Sequence, residues 1–180
     1  MGKLLDELDN LLANIDDKAL AEKEAKCVEY AKKGVNEAYS YLGDIYYFDK
    51  EDYNKAMENY QKCENNGYAL YMQGVIYGNI FYEKQDLELS KELLFKAAND
   101  YKIADAIYEI GFDYLNGNNG FDKNAKKAVE YFNKAKELKY SEAYFSLANC
   151  YKTGLGVEKD LNKAFELMKE AYLILNEELS

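Results

Sequence analysis

The sequence predicts an all-α protein, a right-handed α-solenoid of about five antiparallel helix pairs. Three observations carry this expectation. Two sets of small-residue columns recur along the chain with matching periods of 31–38 residues. Pro is absent from all 180 residues, which fits a chain that is nearly all helix, because an interior proline removes a backbone donor and clashes with the preceding turn. The stretches between the columns, such as Asn116-Gly-Asn-Asn-Gly120 and Gly154-Leu-Gly156, are rich in turn residues.

The elements follow in order. Leu4, Leu5, Leu8, Leu11, Leu12 and Ile15 form a helical stripe that ends at Asp16-Asp17. A second helix, over about 18–33, places Ala25, Val28 and Ala31 on one side and closes at Gly34. Together they read as a degenerate capping pair, residues 1–34. Four units follow, at 35–67, 68–102, 103–140 and 141–172.

Each first helix carries Ala, a small residue five later and Tyr three beyond. The columns are Ala38/Gly43/Tyr46, Ala69/Gly74/Tyr77, Ala106/Gly111/Tyr114 and Ala143/Ala148/Tyr151. At 100° per residue these share one face. The small residues admit a second helix at close range, and the four Tyr rings are expected in the core that covers the seam. Each second helix repeats a small residue seven apart: Ala56/Cys63, Ser90/Ala97, Ala128/Ala135 and Ala164/Ala171. Asp52, Asp86, Asn124 and Asp160 stand where the N-caps of these helices belong.

The last helix runs from Leu161 to Leu179, longer than its predecessors. Residues 173–180, with Leu173, Ile174, Leu175 and Leu179, are expected to cap the final apolar face. The alternative is a helix for dimerisation or for a partner. The whole chain, 1–180, is expected to form one repeat domain.

The columns resemble the Sel-one-like repeat, the close relative of the tetratricopeptide repeat. The segment Ala143-Tyr-Phe-Ser-Leu-Ala-Asn-Cys-Tyr-Lys-Thr-Gly-Leu-Gly-Val-Glu-Lys-Asp-Leu-Asn-Lys-Ala164 is similar to the family pattern A-x3-L-G-x2-Y-x2-G-x-G-V-x2-D-x2-K-A, with Ala148 in place of Gly. The third unit keeps Gly117 and Lys127-Ala128, while the second has Gln73 where Leu is usual and Ser90 for Ala. The resemblance covers about residues 35–175. It implies stacked hairpins whose first helices line a concave side, serving as a scaffold or adaptor.

By the related tetratricopeptide geometry, the resemblance implies three rows on that side: Ser40, Tyr71, Tyr108 and Phe145; Asp44, Val75, Phe112 and Asn149; Tyr47, Gly78, Leu115 and Lys152. The expected partner-binding residues are Asp44, Tyr47, Tyr71, Val75, Tyr108, Phe112, Phe145 and Asn149. Among them Tyr71, Val75, Tyr108, Phe112 and Phe145 form an aromatic and apolar centre, the composition that dominates interface energetics.

Composition narrows the chemistry. The chain has no His, Trp or Arg; all 23 basic residues are Lys, against 33 acids, for a net charge of −10. Without His it lacks the commonest general base and metal ligand, and without Arg the best bidentate grip on phosphate. The charge repels nucleic acid and anionic membranes. Residues 35–100, with 12 acids and 6 lysines, carry most of it and would favour a basic partner. Cys27, Cys63 and Cys150 are odd in number and widely spaced, as for reduced structural thiols in a cytoplasmic protein. The early acids break any signal-peptide run, and no stretch is apolar enough to span a membrane. The abundant Lys, Asn and Tyr point to an AT-rich, bacterial coding genome.

No catalytic residue, metal site or cofactor is expected. The 116–122 segment fails the register of a calcium loop, and Gly154-Leu-Gly156 lacks the Lys-Ser/Thr of a phosphate loop. An enzyme would need carboxylates with raised pKa values assembled in space. The expected function is therefore a non-catalytic adaptor or scaffold that binds a protein or peptide, as a monomer or weak homodimer. The alternative is an inhibitor, such as an immunity or anti-defence protein, that occludes a partner enzyme.

Overall fold

The computed structural model describes residues 2–16 and 19–178. Asp17, Lys18 and Leu179, assigned above to the capping pair and the C-terminal extension, lie outside the described residues. The helices are α1 Gly2–Ala13, α2 Leu20–Lys32, α3 Ala38–Asp44, α4 Tyr53–Lys62, α5 Gly67–Gly78, α6 Leu87–Asp100, α7 Ala104–Asn116, α8 Ala125–Glu137, α9 Ser141–Thr153 and α10 Leu161–Glu178. The described residues contain no strand. The chain divides into two compact units, residues 1–86 and 87–180, so the division falls between the two helices of the second repeat.

In the first unit, Leu8 of α1 and Tyr30 of α2 pack with Val35 and Ala38. Ala56, Met57 and Tyr60 of α4 form a second core with Ala69, Met72 and Ile76 of α5. In the second unit, Ala128 and Phe132 of α8, Leu147 and Ala148 of α9, and Ala164 and Ala171 of α10 share one core. The small-residue columns of both helix types are buried. Their size is required. A Cβ at Gly43 would lie 2.6 Å from Cδ1 of the Tyr60 ring, and one at Gly111 would lie 2.8 Å from Cδ1 of Phe132.

Three of the four predicted caps, Asp52, Asn124 and Asp160, form. Asp52 Oδ1 accepts from the Lys55 backbone N–H, Asn124 Oδ1 from that of Lys127 and Asp160 Oδ1 from that of Lys163, each at 3.0 Å. Each satisfies a donor that the first helical turn leaves open. Between repeats the chain turns through one left-handed residue: Gly34, Asn65, Lys102 or Lys139, with φ of +86°, +54°, +57° and +61°. Each lies four residues before a first-helix Ala, so this turn shares the period of the Ala column.

Two features depart from the expectation. The helix of the first repeat does not end at Asp44 but runs on into a π-helical turn, Ile45–Asp49, where Lys50 N–H donates to the Ile45 carbonyl. The seam tyrosines Tyr46, Tyr77, Tyr114 and Tyr151 are half-buried rather than core. One face of each ring packs on the core. A lysine ammonium sits over three of them: Lys50 Nζ 4.7 Å from Tyr46, Lys127 Nζ 4.9 Å from Tyr114 and Lys163 Nζ 4.5 Å from Tyr151. The reason is the phenol, whose hydroxyl seeks water or a partner while the ring seeks burial.

Candidate interaction surface

The eight predicted partner residues fall into two sets of four, one in each compact unit. In the second unit, Tyr108 and Phe112 stand one turn apart on α7, with ring centroids 6.3 Å apart. Phe112 is exposed and Tyr108 half-buried. The Tyr108 ring also packs on Phe132 and Tyr140, at 5.5 and 5.2 Å, which anchors it. Its hydroxyl hydrogen-bonds Ser146 Oγ at 3.2 Å and thereby ties α7 to α9. Asn149, one turn beyond Ser146, is exposed. Phe145 is half-buried and meets Tyr172 of α10 edge-on at 5.8 Å. Thus Tyr108, Phe112, Phe145 and Asn149 lie on adjoining helices, and Tyr172 extends the aromatic run.

In the first unit, Tyr71 and Val75 of α5 are half-buried, as is Tyr47 in the π turn. Tyr47 contacts Phe48 at 4.8 Å and Tyr53 at 5.6 Å, and Tyr71 pairs with Tyr68 at 6.1 Å. Asp44 is differently engaged. Its Oδ1 accepts from the Tyr60 hydroxyl at 2.6 Å and the Tyr68 hydroxyl at 3.0 Å, linking α3 to α4 and α5. Burial pushes its carboxyl up, against the pull of the two phenols. Of the remaining row members, Ser40 is buried beside the core, while Lys152 is exposed.

Sequence reasoning missed two carboxyls on α7. Asp113 is fully buried. Its Oδ1 accepts from Asn119 Nδ2 at 3.0 Å, while Oδ2 has no hydrogen-bond partner among the described residues. Burial raises Asp113 to about 6. Glu109, one turn earlier, is raised to about 7 by burial first and by the Asp113 charge second. With Asp113 sealed from solvent, the pair does not present two carboxyls to a common substrate. Nothing in the sequence pattern marks these two acids; the only signal was their i, i+4 spacing beside a buried column.

The three thiols are free and buried. Burial raises Cys27 and Cys63 to about 11, so they are held as protonated packing groups. The described residues contain no group of three or more Cys, Asp or Glu side chains placed to hold a metal ion. No described helix is long and apolar enough to cross a membrane.

Helical hairpins in series, joined through close-packed small residues, define a helical-repeat protein of the solenoid class. The Sel1 repeat profile matches residues 36–68, 67–100, 104–140 and 141–173, and the chain belongs to the Sel1-repeat family. The match includes the divergent second unit.

Solved structures agree. A Sel1 repeat protein from Oxalobacter formigenes is 25% identical with a TM-score of 0.68, over 77% of this chain and 58% of that one. The protein c5321, a protective antigen of uropathogenic Escherichia coli strains displaying an SLR fold, is 26% identical with a TM-score of 0.66, over 88% of this chain and 33% of that one. The chain thus spans between a third and three-fifths of the length of these two proteins. MamA shares the fold at 21% identity and a TM-score of 0.56, over 92% of this chain and 98% of its own. Comparison with curated proteins finds no match. Sel1 repeats generally mediate protein–protein interaction.

Proposed function

We propose that this chain is a non-catalytic interaction module of the cytoplasm that binds a protein or peptide segment on the faces of its first helices. The observation that carries the reading is Phe112. A large aromatic side chain, 39% exposed on a rigid helix, it has Tyr108 beneath it and the polar Asn149 on the next first helix. That is the arrangement of an interface anchor, an exposed ring on a preorganised support with a polar surround. Tyr47, Tyr71 and Val75 offer a second half-buried patch in the first unit, with Asp44 behind it holding the helices that carry it. The net charge of −10 favours a basic segment as the ligand.

The test separates anchors from supports. Tyr108 packs on three neighbours, so its truncation would disturb the fold as well as the surface. Phe112→Ala with Asn149→Ala removes the more exposed groups and a single ring contact, that of Phe112 with Tyr108. Wild type and this double variant are immobilised and used for capture from native lysate, read by mass spectrometry. A protein retained by wild type and lost by the double variant, with equal helicity and melting, supports the reading; capture indifferent to the double variant sinks it.

A further inference from the structure

The loop that joins the two helices of the second repeat carries the two most exposed large apolar side chains among the described residues. Ile80 is 77% and Phe81 75% exposed. Hydrogen bonds fix the loop beneath them. Asn79 Oδ1 accepts from the Phe81 backbone N–H at 2.8 Å, and Gln85 Nε2 donates to the Gly78 carbonyl at 3.1 Å. The Asp86 N–H closes the loop on the Tyr77 carbonyl at 3.0 Å. Tyr82 is buried and roots the loop in the core of the first unit, edge-on to Tyr77 at 5.8 Å. The fourth repeat has a loop of the same length, closed by the same bond from the Asp160 N–H to the Tyr151 carbonyl. By count from the seam tyrosine, Gly154 and Leu155 stand there in place of Ile80 and Phe81. Loop closure thus does not require two large apolar side chains, and those of the second repeat are held in solvent on a fixed frame.

We propose that this tip is a second docking surface, separate from the first-helix faces, and that its partner is a protein with an apolar pocket rimmed by Lys or Arg. Ile80 and Phe81 are the anchors. Two apolar side chains on a preorganised turn enter such a pocket with little ordering left to do. Charge names the rim. The tip lies beside the loop of the first repeat, where Lys50, Glu51 and Asp52 share a cavity of about 370 Å³ with Phe81, Tyr82 and Glu83. Residues 47–54 and 79–86 together hold five acids against two lysines. One of those lysines, Lys50, is already paired with Glu24. Asp49, Glu51 and Glu83 are exposed and form no ion pair among the described residues. Phe48, 61% exposed, adds a third apolar side chain on the first-repeat loop. An apolar tip in an uncompensated acidic collar is repelled by anionic lipid and by the same tip on another copy. It is complementary to a basic rim.

Photo-crosslinking tests this, with Phe81→p-benzoylphenylalanine in the full chain, irradiated in its source cells. The expected product is one cross-linked protein, identified by mass spectrometry, whose attached peptide lines an apolar pocket with a Lys or Arg rim. With that protein purified, Ile80→Ser and Phe81→Ser each raise Kd at least about tenfold, with helicity and melting unchanged. Glu51→Lys with Glu83→Lys weakens binding about fivefold or more and flattens its fall with added salt. Cross-links confined to lipid, to a second copy or to no molecule overturn the proposal. So does a partner whose affinity follows Phe112→Ala with Asn149→Ala but ignores Phe81→Ser. A partner that binds more tightly as salt is raised overturns the basic rim.

Discussion

The ring of Tyr60 lies against the bare Cα of Gly43, in the place where any larger residue would put its Cβ. Phe132 does the same at Gly111. In the fourth repeat the corresponding second-helix residue is the flexible Met168, and the column carries Ala148. In the first and third repeats a large rigid ring thus coincides with Gly, and in the fourth a pliable side chain coincides with Ala. Gly43→Ala and Gly111→Ala are each expected to destabilise the fold by up to about 2 kcal/mol. The clash costs about 1–3 kcal/mol, offset by about 1 kcal/mol from the better helix propensity of Ala. Urea unfolding measures this, and a stabilised variant at either site would refute the packing argument.

A second prediction concerns the turns between repeats. Lys102 and Lys139 occupy the left-handed region, at φ of +57° and +61°, where a Cβ costs about 1 kcal/mol or more. The equivalent positions in the preceding turns are Gly34 and Asn65, residues that accept this conformation readily. Lys102→Asn and Lys139→Asn should therefore each stabilise the protein by about 0.5 kcal/mol, seen as a raised melting temperature. Lys139→Val should do the reverse, by more. A melting temperature that falls in both Asn variants would show that the lysine side chains contribute contacts that outweigh the strain.

The repeat, its caps and its small-residue seams were legible because each is a short-range pattern that recurs. Ala, Gly and N-capping Asp or Asn are dictated by helix geometry alone. What was not legible depended on neighbours in space. The π turn at Ile45–Asp49 left no mark on the column, since Tyr46 keeps its place in it. The seam tyrosines were expected in the core because only the ring's apolar area was weighed, whereas the hydroxyl of Tyr46 donates to Glu24 on α2. Asp44 read as a surface acid, yet it meets two phenols whose sequence positions, 60 and 68, give no hint of convergence. Exposure of Phe112 beside half-burial of Tyr108 was equally beyond periodicity, because both share one helical stripe. Only the packing of Tyr140 and Phe132 onto Tyr108 separates them.

The cysteines give a third expectation. Cys27 and Cys150 are fully buried and Cys63 nearly so, and burial holds all three thiols above their ordinary range. Since the thiolate is the reactive form, native protein should react with a neutral-pH thiol reagent at a small fraction of the rate seen in denaturant. Three thiols should then titrate together on unfolding. A single thiol reacting rapidly in the native state would identify a local opening at that site and remove it from the core.

The buried carboxyls of α7 set the pH dependence. Glu109 moves from 4.5 to about 7 and Asp113 from 3.8 to about 6 on folding, both because burial disfavours the charged form. Between about pH 4 and pH 7 the native chain therefore binds more protons than the unfolded one, and linkage requires stability to fall as pH rises through that window. Below it both states are protonated and the full contribution is present; above it both acids are ionised in both states and the contribution is lost. The sign is opposite for Glu24 and Asp52, which hydrogen bonds hold below their ordinary range. Their contribution is lost only as pH falls below about 4.5. At about 1.4 kcal/mol per pH unit, shifts of this size set an upper bound of about 6 kcal/mol on the loss from the α7 pair. Glu109→Gln should remove its share, so that the variant is more stable than wild type at pH 8 by up to about 3 kcal/mol and no more stable at pH 4. Asp113→Asn should flatten the remaining slope. Urea unfolding across this range measures both. Parallel curves for wild type and Glu109→Gln would mean that Glu109 is solvated in the native state, and a slope rising with pH would reverse the assignment of both groups.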